Sequence, residues 1–184
     1  MQDNRNFLGT EPIGKLLLKL SIPTVIAQLI NMLYNIVDRI YIGHIPGEGS
    51  LALTGVGVCM PIIMIVSAFA ALEQILGNCF SLQIVVSLFL TVILLIFGKD
   101  LLLAFGASEN TIGYATDYMR IYAFGTLFVQ LTLGMNAFVT AQGFTKISMF
   151  SVLIGAICNI VLDPVFIFGF HMGVKGAALA TVLS

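Results

Sequence analysis

Charge is what this chain most lacks. Asp, Glu, Lys and Arg make up 9% of its residues, against about 25% in an ordinary soluble domain, and that scarcity excludes a surface built to face water all round. The net charge of -1 comes with no basic stripe, which excludes an electrostatic footprint for nucleic acid. There is no tryptophan, so any aromatic anchoring at a membrane interface falls to tyrosine. The three cysteines, Cys59, Cys79 and Cys158, are odd in number and scattered through apolar segments. They read as small apolar filler rather than as a disulfide or metal framework. No phosphate-binding loop, cluster of metal ligands or nucleophile–base arrangement is present, so the chain does not read as an enzyme and no cofactor is expected.

What is there is hydrophobic length. Apolar residues make up 59% of the chain and the mean hydropathy is +1.05. Stretches without an ionisable Asp, Glu, Lys or Arg run over 20–37, 49–72, 74–98, 121–145 and 147–162. Most approach or exceed the roughly 20 residues that a helix needs to cross a bilayer core. They are continuous rather than alternating, which selects helices over barrel strands. The expected fold is an all-α integral membrane bundle of five complete spans, near 15–42, 51–72, 75–97, 116–141 and 147–168, with a sixth beginning near Val174.

Residues 1–14 read as a polar cytoplasmic segment and 15–184 as one transmembrane lobe. The first apolar run is too long for a cleaved signal and is expected to remain. Two features of length stand out. Glu73 is the one charge between Glu48 and Lys99, so the turn near 72–78 is tight and the lobe looks shortened there. From Gly176 to Ser184 the chain at 1.5 Å per residue covers less than half of a roughly 30 Å core, so the sixth helix looks truncated. Arg5, Lys15, Lys19 and Lys146 on one side, against Lys99, Arg120 and Lys175 on the other, favour a cytoplasmic N-terminus, with the early cluster dominating. On that orientation Tyr41, Tyr114, Tyr118 and Tyr122 form the outer aromatic belt.

Two acids lie inside the apolar stretches. A charged side chain at mid-membrane costs about 2.5–3.5 kcal/mol on insertion scales and persists where it meets a partner, a cavity or an ion path. Asp38 ends a stripe of Thr24, Gln28, Asn31 and Asn35, spaced to share about 80° of one helical face. Such a stripe can bond neighbouring helices together or line an aqueous or substrate path; five polar groups ending in an acid favour the path. The fifth span repeats the pattern with Ser148, Ser151, Gly155, Asn159 and Asp163. Asn159 and Asp163 are four apart, and Pro164 removes the backbone bond to the carbonyl of Ile160. A carboxylate, an amide and a freed carbonyl can hold a proton or a dehydrated cation. With hairpin connections, both acids lie about 8–9 Å below the outer ends of their helices and can meet at one level.

Other features read more simply. Asp117 and Arg120 suit an interfacial ion pair, His44 and His171 fall in loops, Pro23 and Pro61 suit kinks, and Gly55, Gly57, Gly125, Gly134 and Gly155 suit close helix approach.

The strings KLSIPTVIAQLINMLYNIVDRIYIGHIPG, LALTGVGVCMPIIMIVSAFAAL, LLLAFGASENTIGYATDYMRIYAFG and NIVLDPVFIFGFHMGVKGAALAT resemble the multidrug and toxic compound extrusion family, in its bacterial multidrug exporter branch. The resemblance implies a twelve-helix fold of two six-helix lobes, of which this chain matches the N-terminal one. It implies that Asp38, Asn159, Asp163 and Thr181, the last in the GAALAT string, line a site for the coupling ion, H⁺ or Na⁺, with Tyr118 a weaker match nearby. Against the family's pattern, the end of helix two with the following cytoplasmic loop, and the whole second lobe, are not found. The expected function is that of a cation-coupled antiporter of organic cations in the plasma membrane. It would need a C-terminal lobe or another chain to complete its cavity, with Gln28, Asn31 and Asn35 as further lining and membrane lipid around it. The alternatives are a lipid-linked sugar flippase of the same superfamily and a non-transporting remnant or interaction subunit. A carboxylate–amide–carbonyl set accepts either coupling ion.

Overall fold

The computed structural model describes residues 12–75 and 80–184, with side chains described outside 70–82. Its elements are helical throughout the described residues: α1 (Ile13–Gly43), α2 (Gly49–Ile75), α3 (Phe80–Ala104), α4 (Ile112–Ala141), α5 (Thr145–Pro164) continued by a π-helical turn (Val165–Gly169), and the shorter α6 (Val174–Leu183). Five of them are long and apolar enough to cross a membrane. This is an all-α membrane protein.

Several boundaries differ from expectation for physical reasons. Residues 73–75 carry no breaker, so α2 runs on to Ile75, a residue expected in the third span. α3 continues through Gly98, Lys99 and Asp100 to Ala104, since a helix emerging from the hydrocarbon need not stop where charge begins. The expected turn between these helices lies largely outside the described residues, as do Cys79 and most of the N-terminal segment.

α4 is the centre of the bundle. It packs against α2, α3, α5 and α6, whereas α1 rests chiefly on α5, with lesser contact to α2 and little to α6. Small residues let these backbones approach. A Cβ at Gly55 would lie 3.0 Å from the carbonyl oxygen of Thr111, joining α2 to α4. Gly125 is filled by Val182 of α6, Gly134 by the Gln83 side chain of α3, and Gly155 faces the carbonyl of Ser184. Gly57, expected among them, meets nothing within 4 Å among the described residues. It stands on a different side of α2 from Gly55, two residues or about 200° around the helix.

The aromatic belt is also smaller than expected. Tyr118 and Tyr122 point into the core, 2% and 3% exposed, leaving Tyr41 and Tyr114 half-buried near the end of the bundle. Tyr41 meets Phe168 of the π turn edge-on, ring centres 6.3 Å apart. Asp117 pairs with Lys175 of α6 at 3.5 Å rather than with Arg120, because the start of α6 comes to lie beside α4.

Candidate functional site

α1 and α5 pack along each other, and their acids fall at the same end. Asp38 is five residues from the end of α1 and Asp163 is the penultimate residue of α5. The two carboxyls lie within side-chain hydrogen-bond reach of each other, and Asp163 feels the charge of Asp38. Asp163 and Asn159 are fully buried and Asp38 is 6% exposed.

Their polar atoms are unusual for so enclosed a place. Buried polar groups almost always find a hydrogen-bond partner. With both acids ionised, Oδ1 of Asp38, both carboxyl oxygens of Asp163 and both amide atoms of Asn159 are buried without one among the described residues, while a single proton held between the two carboxyls would join Asp38 to Asp163. Three side chains from two helices thus present acceptors, and one amide donor, to a common interior.

The local sequence explains how. Pro164 cannot donate to the carbonyl of Ile160. The helix relaxes just beyond it into a wider turn, closed by Phe170 N–H donating to Val165 at 2.9 Å. π-helical turns of this kind are frequent at functional sites. Asp163 sits at the junction of the two pitches. The turn itself was not expected from the sequence, which suggested a simple continuation to 168; the proline was its one visible sign.

The remaining candidates divide. Tyr118 of α4 links Thr181 of α6 to the first acid: its side chain lies within reach of the Asp38 charge and beside the Thr181 hydroxyl. That hydroxyl donates to the carbonyl of Ala177 at 3.0 Å. Along α1 the polar stripe grades from surface to interior. Thr24 and Gln28 are exposed, Asn31 and Asn35 half-buried, and Asp38 buried. Two of the stripe's groups bond within their own helix, Thr24 to Leu20 at 2.9 Å and Asn35 to Asn31 at 2.7 Å. Gln28, Asn31 and Asn35 therefore lead toward the acids rather than surround them. In α5, Ser148 is buried and receives a hydrogen bond from Thr140 at 2.8 Å, while Ser151 is exposed.

Two tyrosines were missed. Tyr34 lies beside Asn35, within reach of both Asp38 and Tyr122, and Tyr122 lies beside Ser67 of α2. Tyr34 stands four residues before Asp38, a spacing that places both on one face and could have revealed it.

The MatE family model matches residues 68–165, rather more than half of the chain and including Asn159 and Asp163. The chain belongs to the MatE family. It is similar to the multidrug export protein MepA of Staphylococcus haemolyticus, 31% identical over 206 residues, covering all of this chain and 45% of that protein. A MepA of Staphylococcus aureus (strain MRSA252) is 29% identical over 199 residues, covering 97% and 44%. Among solved structures, a MATE protein in complex with MaL6 superposes with a TM-score of 0.85 at 25% identity, over all of this chain and 44% of that one. An outward-facing multidrug resistance MATE family transporter of the MOP superfamily gives 0.81 at 26% identity, over 92% and 42%. The chain spans a little under half the length of the curated relatives that it matches. For this MatE chain the likeness covers the whole six-helix arrangement, including the helices that carry the two acids.

Proposed function

We propose that this chain forms the N-terminal lobe of a cation-coupled antiporter that exports organic cations. The observation that carries the reading is the facing pair Asp38 and Asp163, with Asn159 four residues before Asp163, buried and, when both acids are ionised, without a hydrogen-bond donor among the described residues. Such a set is costly to keep in an apolar interior unless something positive visits it. A proton or Na⁺ has the required charge, and carboxylate, amide and carbonyl oxygens are its natural ligands. Thr181 and Tyr118 supply hydroxyls from α6 and α4.

Coupling needs the ion to bind two conformations of the transporter with different affinity. α1 is the element suited to register that difference, since it carries one acid and is held mainly by the helix that carries the other. A C-terminal lobe, or another chain, would complete the substrate cavity. The setting is the plasma membrane, and the distribution of Lys and Arg favours an N-terminus in the cytoplasm. The relatives named for multidrug export support the substrate class.

Cells making this lobe together with a C-terminal lobe that completes the cavity are expected to extrude ethidium in a manner that depends on a proton or sodium gradient. Asp38→Asn and Asp163→Asn should each abolish that dependence. Gradient-driven efflux that survives both substitutions would overturn the proposal.

A further inference from the structure

Asn159 of α5 is fully buried, and neither its side-chain oxygen nor its side-chain nitrogen meets a hydrogen-bond partner among the described residues. We infer that it holds a water molecule against the carboxyl of Asp163, and that with this water in place the acid pair takes up a proton in preference to Na⁺. The inference rests on the reading of the pair as the coupling site, and it names the ion.

The orientation of the amide does not matter to the argument. Oxygen and nitrogen of an Asn head group exchange places by a half-turn, but here both positions lack a partner. In either orientation the amide therefore needs one donor and one acceptor. A bare cation answers the oxygen alone; it cannot accept from an N–H, and an unpaired buried N–H is costly. A water answers both, since it accepts from the amide nitrogen and has two hydrogens, one for the amide oxygen and one for a carboxyl oxygen. Residues four apart on a helix have Cβ atoms about 5–6 Å from each other, so the head groups of Asn159 and Asp163 can be joined by one small molecule. The resulting three hydrogen bonds are the usual number for an internal water.

The neighbouring helices leave that place to the water. Thr181 of α6 spends its hydrogen on the carbonyl of Ala177, at 3.0 Å, and Lys175 of α6 is engaged by Asp117 at 3.5 Å. Arg39 and Tyr34 of α1 and Tyr118 of α4 bear on Asp38, and none of them partners Asn159. The two carboxyls already lie within hydrogen-bond reach of each other. One proton fits between them as they stand: it forms an O–H bond on one carboxylate, directed at the other, while the water keeps both of its hydrogens. Na⁺ would need a bond length to each carboxylate and would force the pair apart.

The test is infrared difference spectroscopy of the 184-residue chain in lipid, perfused with acid against neutral buffer and, at one pH, with Na⁺ against choline, in ordinary and in heavy-oxygen water. Acid should produce a carboxylic-acid carbonyl band, absent from the D38N/D163N double variant, and an O–H stretching band that shifts in heavy-oxygen water. Na⁺ should produce neither. N159L, close to Asn in shape but without polar atoms, should lose the shifting band, and N159S, which keeps a donor and an acceptor, should retain it. A carboxylate response to Na⁺ as large as that to acid overturns the inference while leaving the coupling site standing, and so does an acid response without the shifting band. A shifting band that persists in folded N159L overturns the placement of the water. No carboxyl response to either ion overturns this inference and the proposed function together. The isotope shift is read on the unsubstituted chain, so the test stands even where a variant fails to fold.

Discussion

Gly176 of α6 rests on the backbone of Phe166 in the π-helical turn: a Cβ there would lie 2.8 Å from the Phe166 carbonyl carbon and 2.9 Å from the Ile167 nitrogen. The contact ties the helix that carries Thr181 to the turn that follows Asp163. Since both neighbouring atoms are backbone, neither can swing aside. Gly176→Ala is expected to cost about 1–3 kcal/mol, the range for overpacking, seen as a lowered melting temperature in detergent. Gly57→Ala, with nothing within 4 Å, should gain up to about 1 kcal/mol from helix propensity. Similar melting temperatures for the two variants would refute this packing.

The acid pair should show a trade between stability and activity. Two carboxylates sharing one enclosed place repel when both are charged. Asp163→Asn removes one charge while keeping the shape, so at neutral pH this variant should melt no lower than the parent, even as cation-dependent efflux is lost. A clear drop in its melting temperature would mean that the charge is needed for the fold.

Gln130 is fully buried in α4, its Nε2 donating to the carbonyl of Val66 at 2.7 Å while its Oε1 has no partner among the described residues. One good bond is thus offset by one unmet acceptor. Gln130→Leu should change stability by less than about 1 kcal/mol, in line with the roughly 0.6 kcal/mol average for hydrogen bonds in membrane proteins. Chemical denaturation in mixed micelles can measure it, and a loss of several kcal/mol would contradict this balance.

The Asp117–Lys175 pair is half-exposed on both sides, at 44% and 54%. A double-mutant cycle with Asp117→Asn and Lys175→Gln should return a coupling below about 1 kcal/mol, weakening further as salt is raised. A larger, salt-insensitive value would show that the pair holds α6 in place.

Much of this arrangement was legible in the residues themselves. Long uncharged runs can only be helices in a bilayer, and the i, i+4 spacing of Asn159 and Asp163 places them on one face whatever the rest of the fold does. The levels of the two acids followed from counting back to Gly43 and Gly169. The hidden part depended on neighbours. Nothing within α4 separates Tyr118 and Tyr122, which turn inward, from tyrosines at an interface; only the helices packed around α4 decide that. Gly57 and Gly55 are alike in sequence, and only the position of α4 distinguishes them. The partner of Asp117 came from an element more than fifty residues away, beyond the reach of local spacing.

The bundle resembles a post with an arm. α4 is braced by four neighbours, whereas α1 leans mostly on α5, and each of those two carries one of the acids. A slip of α1 along α5 by a single residue's rise, about 1.5 Å, leaves the braced post undisturbed and falls first on the gap between Asp38 and Asp163. The least buried of the described spans is thus wired directly to the lobe's most charged point.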